Sequence, residues 1–360
     1  MQRRFSVSEQ APDLWAYLAD AEKPILLYGM GNGADKILDV CAKRGIKVSG
    51  VFASDGFVRN KSFHSFPVTT YAAAKERVGD MIVLVSFATS LPDVIENILR
   101  IASEQELYIP DVPVYGEEIF DYSFVQKHGE ELRQARALFS DEESRQLFDG
   151  IIRCKLYGSI SLLRECSSAD PDGLSTLLHP KAYRTSVDLG AFTGDTALRL
   201  RTFAPNLERM ICFEPDPKTF VRLRRNLGQT EGAELYPYAA WDKEETLPFR
   251  FGGSRSSRLS EEGKLTPVTA MPIDAILKGA PCDFIKYDVE GAELPALHGS
   301  AGTIRVHRPE LLVSLYHRSE DLFVLPLALH GICPHYEFFL RRAPSLPAWD
   351  LNLLGVPKKH

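Results

Sequence analysis

Four side chains in the C-terminal half of the sequence carry the residue types that proton transfer needs. Asp288, Glu290 and Glu293 stand in KYDVEGAE, and His317 closes the apolar run PELLVSLYH. A carboxylate at a strand end, or a histidine with an ordinary pKa of about 6.5, can take the proton of a hydroxyl while that oxygen forms a new bond. A lone histidine at a strand end is equally a hydrogen-bonded structural residue, so both readings of His317 stand open. Asp288, Glu290 and His317 also suit a divalent cation, but spacing alone does not establish such a site and no metal is assigned. Glu293 is expected at the start of the next helix, stabilising it through the helix dipole.

The elements that must position these groups announce themselves in order. In VDLGAFTGDTALRL an apolar strand ends in Asp188-Leu189-Gly190, and Thr193-Gly194-Asp195 opens a helix over 196–203. Gly190 and Gly194 let the backbone take unusual dihedrals and approach a ligand closely. A second strand over 210–213 places Glu214 at its carboxyl end, where a carboxylate of a doubly wound sheet accepts hydrogen bonds from both hydroxyls of a ribose. Pro215 and Pro217 stop that strand and start a helix on which Arg222, Arg224 and Arg225 read as a solvated face. Residues 234–240 read as a third strand, DFIKY as a fourth, PELLVSLYH as a fifth, and YEFFLRR with LNLLGVP as a closing hairpin. Arg341 and Arg342 point either to an anionic acceptor or to solvent.

This series resembles the class I S-adenosylmethionine-dependent methyltransferases and, more narrowly, the FkbM-like family. The resemblance runs from about residue 184 to the C-terminus, through VDLGAFTGDT, FEPDP, SSRLSEEG, IKYDVEGAEL, PELLVSLYHRSEDLFVLPLAL and YEFFLRR. It implies a mixed, mainly parallel seven-stranded sheet with an antiparallel edge. It also implies S-adenosylmethionine as cofactor, held by Asp188, Gly190, Gly194, Glu214, Ala240, Trp241 and Asp288. Catalytic roles fall on His317, Asp288 and Glu290, and the acceptor atom is expected to be an oxygen of a sugar, a glycan precursor or another secondary metabolite. In such a displacement the donor is already activated, so the enzyme aligns the acceptor and manages its proton. Trp241 either covers the adenine or is an ordinary core or surface aromatic, and Asp242 is placed to meet the exocyclic amine. Ser254, Ser256, Ser257 and Ser260, mixed with Arg255 and Arg258, form a polar loop that closes over the acceptor or is simply mobile.

Composition bounds the partners. The 360 residues are enough for two domains, with 44% hydrophobic and 25% charged side chains. A net charge of −6 and a pI near 5.9 give no footprint for nucleic acid or an anionic membrane. The expected partners are a small-molecule or carbohydrate acceptor and a possible second copy in a homodimer. No apolar run reaches the roughly 18 residues of a membrane span, and the opening MQRRFSVSEQAPD lacks a signal peptide's apolar centre, so a cytoplasmic protein is expected. The six cysteines are scattered without CxxC pairing and read as reduced, mainly buried thiols.

A separate unit precedes the transferase-like region. KPILLYGMGNGADKILDVCAKRGIKVSGVFASD is a βαβ pattern with a G-x-G-x-x-A turn at Gly29, Gly31, Gly33 and Ala34, and Asp55 lies past its second strand. A strand from Met81, a helix over 92–103 and a short strand over 107–109 complete a Rossmann-like fold, on which a helix containing Leu14, Trp15 and Leu18 packs. The predicted division is a Rossmann-like domain over 1–122, a helical connector over 123–180 and the transferase domain over 181–360. Within the connector, Ser140 and Glu143 are expected to form a capping box. Two alternatives remain open: a nucleotide-binding or scaffold protein without turnover, and an NAD-dependent sugar-nucleotide oxidoreductase built on residues 29–55.

Overall fold

The computed structural model describes residues 11–58, 62–249 and 265–358. The serine- and arginine-rich loop at 254–260 and the first ten residues therefore lie outside the described residues. Two parallel sheets dominate. The first comprises β1 (Ile25–Tyr28), β2 (Val48–Phe52), β3 (Ser62–Phe63), β4 (Phe66–Thr69), β5 (Ile82–Val85) and β6 (Glu106–Tyr108), in the order β3-β4-β2-β1-β5-β6. All neighbours are parallel except β3 and β4. Every residue of β1 and β5 is buried, as expected of central parallel strands covered by helices on both faces. The helix Leu14–Ala19 buries Leu14, Trp15 and Leu18, as its sequence predicts.

The second sheet contains β7 (Thr185–Leu189), β8 (Arg209–Phe213), β9 (Ala233–Tyr236), β13 (Phe284–Tyr287), β14 (Glu310–Ser314), β15 (Tyr336–Arg342) and β16 (Leu351–Pro357). Its order is β15-β16-β14-β13-β7-β8-β9, parallel apart from the antiparallel hairpin at one edge. This is the mixed seven-stranded sheet that the family resemblance implies. One boundary differs. The expected strand over 234–240 breaks after Tyr236, and Ala239–Ala240 is instead β10 of a three-stranded sheet with β11 (Glu245–Phe249) and β12 (Thr266–Met271). Pro237 explains the break, because it lacks the N–H that a continuing ladder requires.

Four helices, Tyr122–Lys127, Gly129–Leu138, Glu142–Tyr157 and Ile160–Glu165, occupy the connector. Their apolar faces share one hydrophobic cluster with both sheets, running from Leu26 and Val83 through Phe148 and Ile151 to Val187, Ile285 and Phe338. The cap of the third helix is one residue later than the sequence suggests. Asp141, not Ser140, accepts the Ser144 N–H at 2.8 Å, while the Ser140 hydroxyl accepts from Phe338 N of β15 at 3.2 Å. Ser140 is recruited by the sheet edge, and the neighbouring carboxylate takes over the helix end.

That packing also decides the arginine pair. Arg341 is buried, its guanidinium 2.6 Å from Asp141 and 3.2 Å from Glu143. Arg342 is fully buried and donates to the carbonyls of Leu163, Cys166, Ser345 and Pro347. Burial pulls its pKa down to about 10. Neither arginine faces solvent or an acceptor, because both clamp the connector to the hairpin. Among the described residues no helix is long and apolar enough to cross a membrane, and all six cysteines are buried and free.

Candidate active site

The carboxyl ends of β7, β8, β13 and β14 converge on one crevice. β7 lies between β8 and β13, so the turn after Leu189 sits at the centre of this edge. The crossing is tight at Gly190, whose φ is +82° and where an added Cβ would lie 1.9 Å from the Asp288 carbonyl oxygen. Only glycine fits that approach. Gly194, at φ +86°, precedes the helix Asp195–Phe203, and a side chain there would collide with Leu223 and Leu227.

Beneath the turn lies a buried cation. Lys286 pairs with Asp188 across the parallel ladder, and its Nζ lies 3.0 Å from Asp188 Oδ1, 3.3 Å from the Gly190 carbonyl and 3.7 Å from Asp288 Oδ2. Burial opposes the charge on Lys286, but Asp188 and Asp288 hold its pKa above the usual range. Burial pushes Asp188 upward against the pull of Lys286, and its Oδ2 has no hydrogen-bond partner among the described residues. Lys286 was not singled out in the sequence, although a lysine inside the apolar strand FIKY is the signal that marks it.

Glu214 follows β8 and is buried at 7% exposure. Its two oxygens accept the backbone N–H groups of Phe192 at 3.0 Å and Asp216 at 2.8 Å, which fixes the carboxylate while leaving lone pairs directed elsewhere. Burial raises its pKa to about 7, opposed by those two N–H donors. Asp216 caps the helix Pro217–Leu227, on which Arg222, Arg224 and Arg225 are exposed. Ala240 is buried; Trp241 is partly buried, with its backbone N–H donating to the Met271 carbonyl at 3.2 Å, and Asp242 is exposed.

The remaining groups gather around His317, which is 1% exposed. Its Nδ1 lies 2.8 Å from Glu293 Oε1, and its Nε2 lies 3.6 Å from Asp288 Oδ1 and 3.8 Å from Glu290 Oε2. Burial disfavours a charged ring, but Glu293, Asp288 and Glu290 outweigh it and lift the pKa to about 10. The ring is therefore an imidazolium at neutral pH. Asp288, hydrogen-bonded by Ser314 and Tyr316 at 3.0 Å each, resists the upward push of burial and is held below its usual value by Lys286 and His317. Glu290 keeps a third of its side chain exposed, and burial of the rest raises its pKa to about 7. Its backbone is left-handed at φ +56°, an uncommon state for a non-glycine residue.

Glu293 starts the helix Glu293–His298, as expected, yet it does more than complement a dipole. It is buried, and its oxygens accept Val289 N at 2.9 Å and Gly291 N at 3.0 Å, tying the preceding turn to His317. Asp288, Glu293 and His317 each offer a ligand atom within 4.8 Å of the others. The Glu293 oxygens are already engaged by the two backbone N–H groups, and Oε1 also faces His317 Nδ1. In the N-terminal unit, Asp55 is exposed at the start of a short 3-10 turn, and the Ser54 hydroxyl bonds to Tyr28 at 2.7 Å.

Comparison with known proteins bears on the fold. No curated protein sequence matches the chain. Among solved structures, methyltransferase FkbM from Methylobacillus flagellatus KT superposes with a TM-score of 0.70 at 20% identity, over 93% of this chain and 90% of that one. An rRNA methylase from Streptococcus thermophilus, at 11% identity over 53% of this chain and 95% of that one, and Aeropyrum pernix fibrillarin in complex with natively bound S-adenosyl-L-methionine, at 13% over 51% and 71%, both reach only 0.35. Those two likenesses are too partial to bear on chemistry. Residues 188–338 match the methyltransferase FkbM domain, a span running from Asp188 through His317 into β15. Over residues 188–338 the chain therefore carries a region that matches the methyltransferase FkbM domain, behind an N-terminal α/β unit, and it shares the fold of the Methylobacillus flagellatus protein.

Proposed function

We propose that this protein transfers the methyl group of S-adenosylmethionine to a hydroxyl oxygen of a sugar, a glycan precursor or another secondary metabolite, with Glu290 as the base. The observation that carries the reading is the convergence of Asp188, Glu214, Asp288 and Glu290 on one sheet edge around the Gly190 turn. The residues suit the cofactor. The unpartnered Asp188 oxygen would meet its ammonium group, Glu214 would accept from the ribose hydroxyls, and Ala240 and Trp241 would flank its adenine. S-adenosylmethionine supplies a methyl carbon already activated by its sulfonium.

The protein's task is then alignment and proton removal. Glu290 fits the base better than His317 does. A carboxylate with a pKa of about 7 and an exposed edge is poised to accept a proton near neutrality, whereas a ring with a pKa of about 10 already holds one. His317 instead stabilises the ionised forms of Asp288 and Glu290. Glu290 would take the proton that the acceptor hydroxyl loses as its oxygen receives the methyl group, with S-adenosylhomocysteine as the leaving group.

Parallel calorimetric titrations with S-adenosylmethionine, S-adenosylhomocysteine and NAD test the reading. Both adenosyl-sulfur ligands should bind, and Glu214→Gln should weaken them about tenfold or more, the worth of one charge-assisted hydrogen bond. Binding of NAD alone would transfer the function to the N-terminal unit and end the methyl-transfer reading.

A further inference from the structure

The chain that leaves β6 crosses from the N-terminal unit to the transferase edge and touches the His317 cluster. Lys36, in the helix Asn32–Lys43, donates to the carbonyls of Pro113 and Val114. The next residue, Tyr115, donates its N–H to the His317 carbonyl at 2.8 Å, and its ring stands edge-on to the imidazole with centroids 6.3 Å apart. On its other side the ring fills the space left by Gly291, where an added Cβ would come within 2.8 Å of Tyr115 Cγ. Two further bonds fasten the same region. Arg318 Nε donates to the Gly291 carbonyl at 3.0 Å, and the Ser319 hydroxyl donates to the Glu118 carbonyl at 2.6 Å.

Gly291 has φ +90° and follows Glu290 at φ +56°. Two successive left-handed residues persist only where their surroundings hold them. We propose that Tyr115, delivered by the N-terminal unit, is a positioning residue that pins the Glu290–Gly291 turn against His317. The proposal rests on the methyl-transfer reading for what Glu290 does, but its geometry and its test need no acceptor. Without the ring the turn relaxes, and Glu290 Oε2 leaves its place 3.8 Å from Nε2. One of the three carboxylates facing the imidazolium is then withdrawn. The other groups facing that ring, Asp288, Glu293, Tyr316 and the buried Asp321 of the following helix, remain in place.

The test is a histidine-ring NMR titration of the full chain without ligand, with the His317 signal assigned by its loss in His317→Gln. Tyr115→Ala should lower the His317 midpoint by about one pH unit, a tenfold smaller ratio of charged to neutral ring at a given pH. Tyr115→Phe should keep the midpoint of the native protein, because the aromatic ring does the packing. Lys36→Met, which loosens the loop from the N-terminal helix, should shift the midpoint the same way by less. An unchanged midpoint in folded Tyr115→Ala overturns the proposal, as does a shift in Tyr115→Phe equal to that of alanine. Should Tyr115→Ala not fold, an unchanged midpoint in Lys36→Met overturns it instead. Calorimetry with S-adenosylhomocysteine on the same samples separates the two readings: no binding by the native protein sinks the proposed function and leaves the titration standing.

Discussion

The protein contains two glycine-bearing strand-to-helix turns, at Gly29–Gly33 after β1 and at Gly190–Gly194 after β7, and the two are surrounded by different chemistry. Around the first stand neutral or exposed groups: Ser86, whose hydroxyl bonds to the Tyr28 carbonyl, Ser54 bonded to the Tyr28 ring hydroxyl, and exposed Asp55. Around the second, Asp188, Lys286 and Glu214 are buried, and the His317 cluster adds three carboxylates. Charges are expensive to bury, and groups with displaced pKa values gather where chemistry is done. A glycine turn thus reports how a strand meets a helix, and the ionisable groups at the strand ends report what the crevice is for.

The largest expected effect tests the turns themselves. Gly190→Ala combines a left-handed φ with a 1.9 Å backbone collision and should cost about 4 kcal/mol in denaturant unfolding. Gly31→Ala meets no atom within 4 Å and should cost only the strain of its φ of +124°, about 2 kcal/mol. Equal losses would erase the distinction between a turn locked to a neighbouring strand and an open one.

Next comes the chemistry. Once an acceptor is found by screening, Glu290→Gln should lower kcat about 100-fold while S-adenosylhomocysteine affinity holds, and Asp55→Asn should leave kcat unchanged. A Glu290 that acts as the proposed base must be ionised to take a proton, so kcat should rise with pH through about 7. A flat profile across that range, or a fast Gln variant, would remove Glu290 as base.

A smaller effect concerns stability. The folded-state pKa of His317 is raised from 6.5 to about 10, so its contribution is fully present below 6.5 and is lost as pH rises toward 10. Urea unfolding of the native protein and of His317→Gln should show a gap that narrows over this window, and a constant gap would mean the ring is not charged. Smallest of all, Arg224→Ala on the exposed helix face should change stability by no more than about 0.5 kcal/mol.

Much of this was legible in the chain. The glycine turns, Glu214 after its strand and the hairpin follow from local signals, because strand ends, prolines and glycines act within a few residues, whereas the seven-stranded sheet was implied by the family resemblance. Apart from the strand that breaks at Pro237, the misreadings came from partners far away in sequence. Ser140 was drawn to Phe338 of β15, and Arg341 and Arg342 to the connector, contacts spanning more than 170 residues. Tyr115 carries no motif at all, and only its meeting with Gly291 gives it meaning.

The sequence by itself determined the two α/β units, their order and the acidic residues at their strand ends, since periodicity and turn chemistry are properties of adjacent residues. The tertiary structure alone decided which of those groups carries charge. Burial and the distances among Glu293, Asp288, Glu290 and His317 keep the histidine protonated and leave Glu290 poised near neutrality, and a pKa is set by neighbours in space.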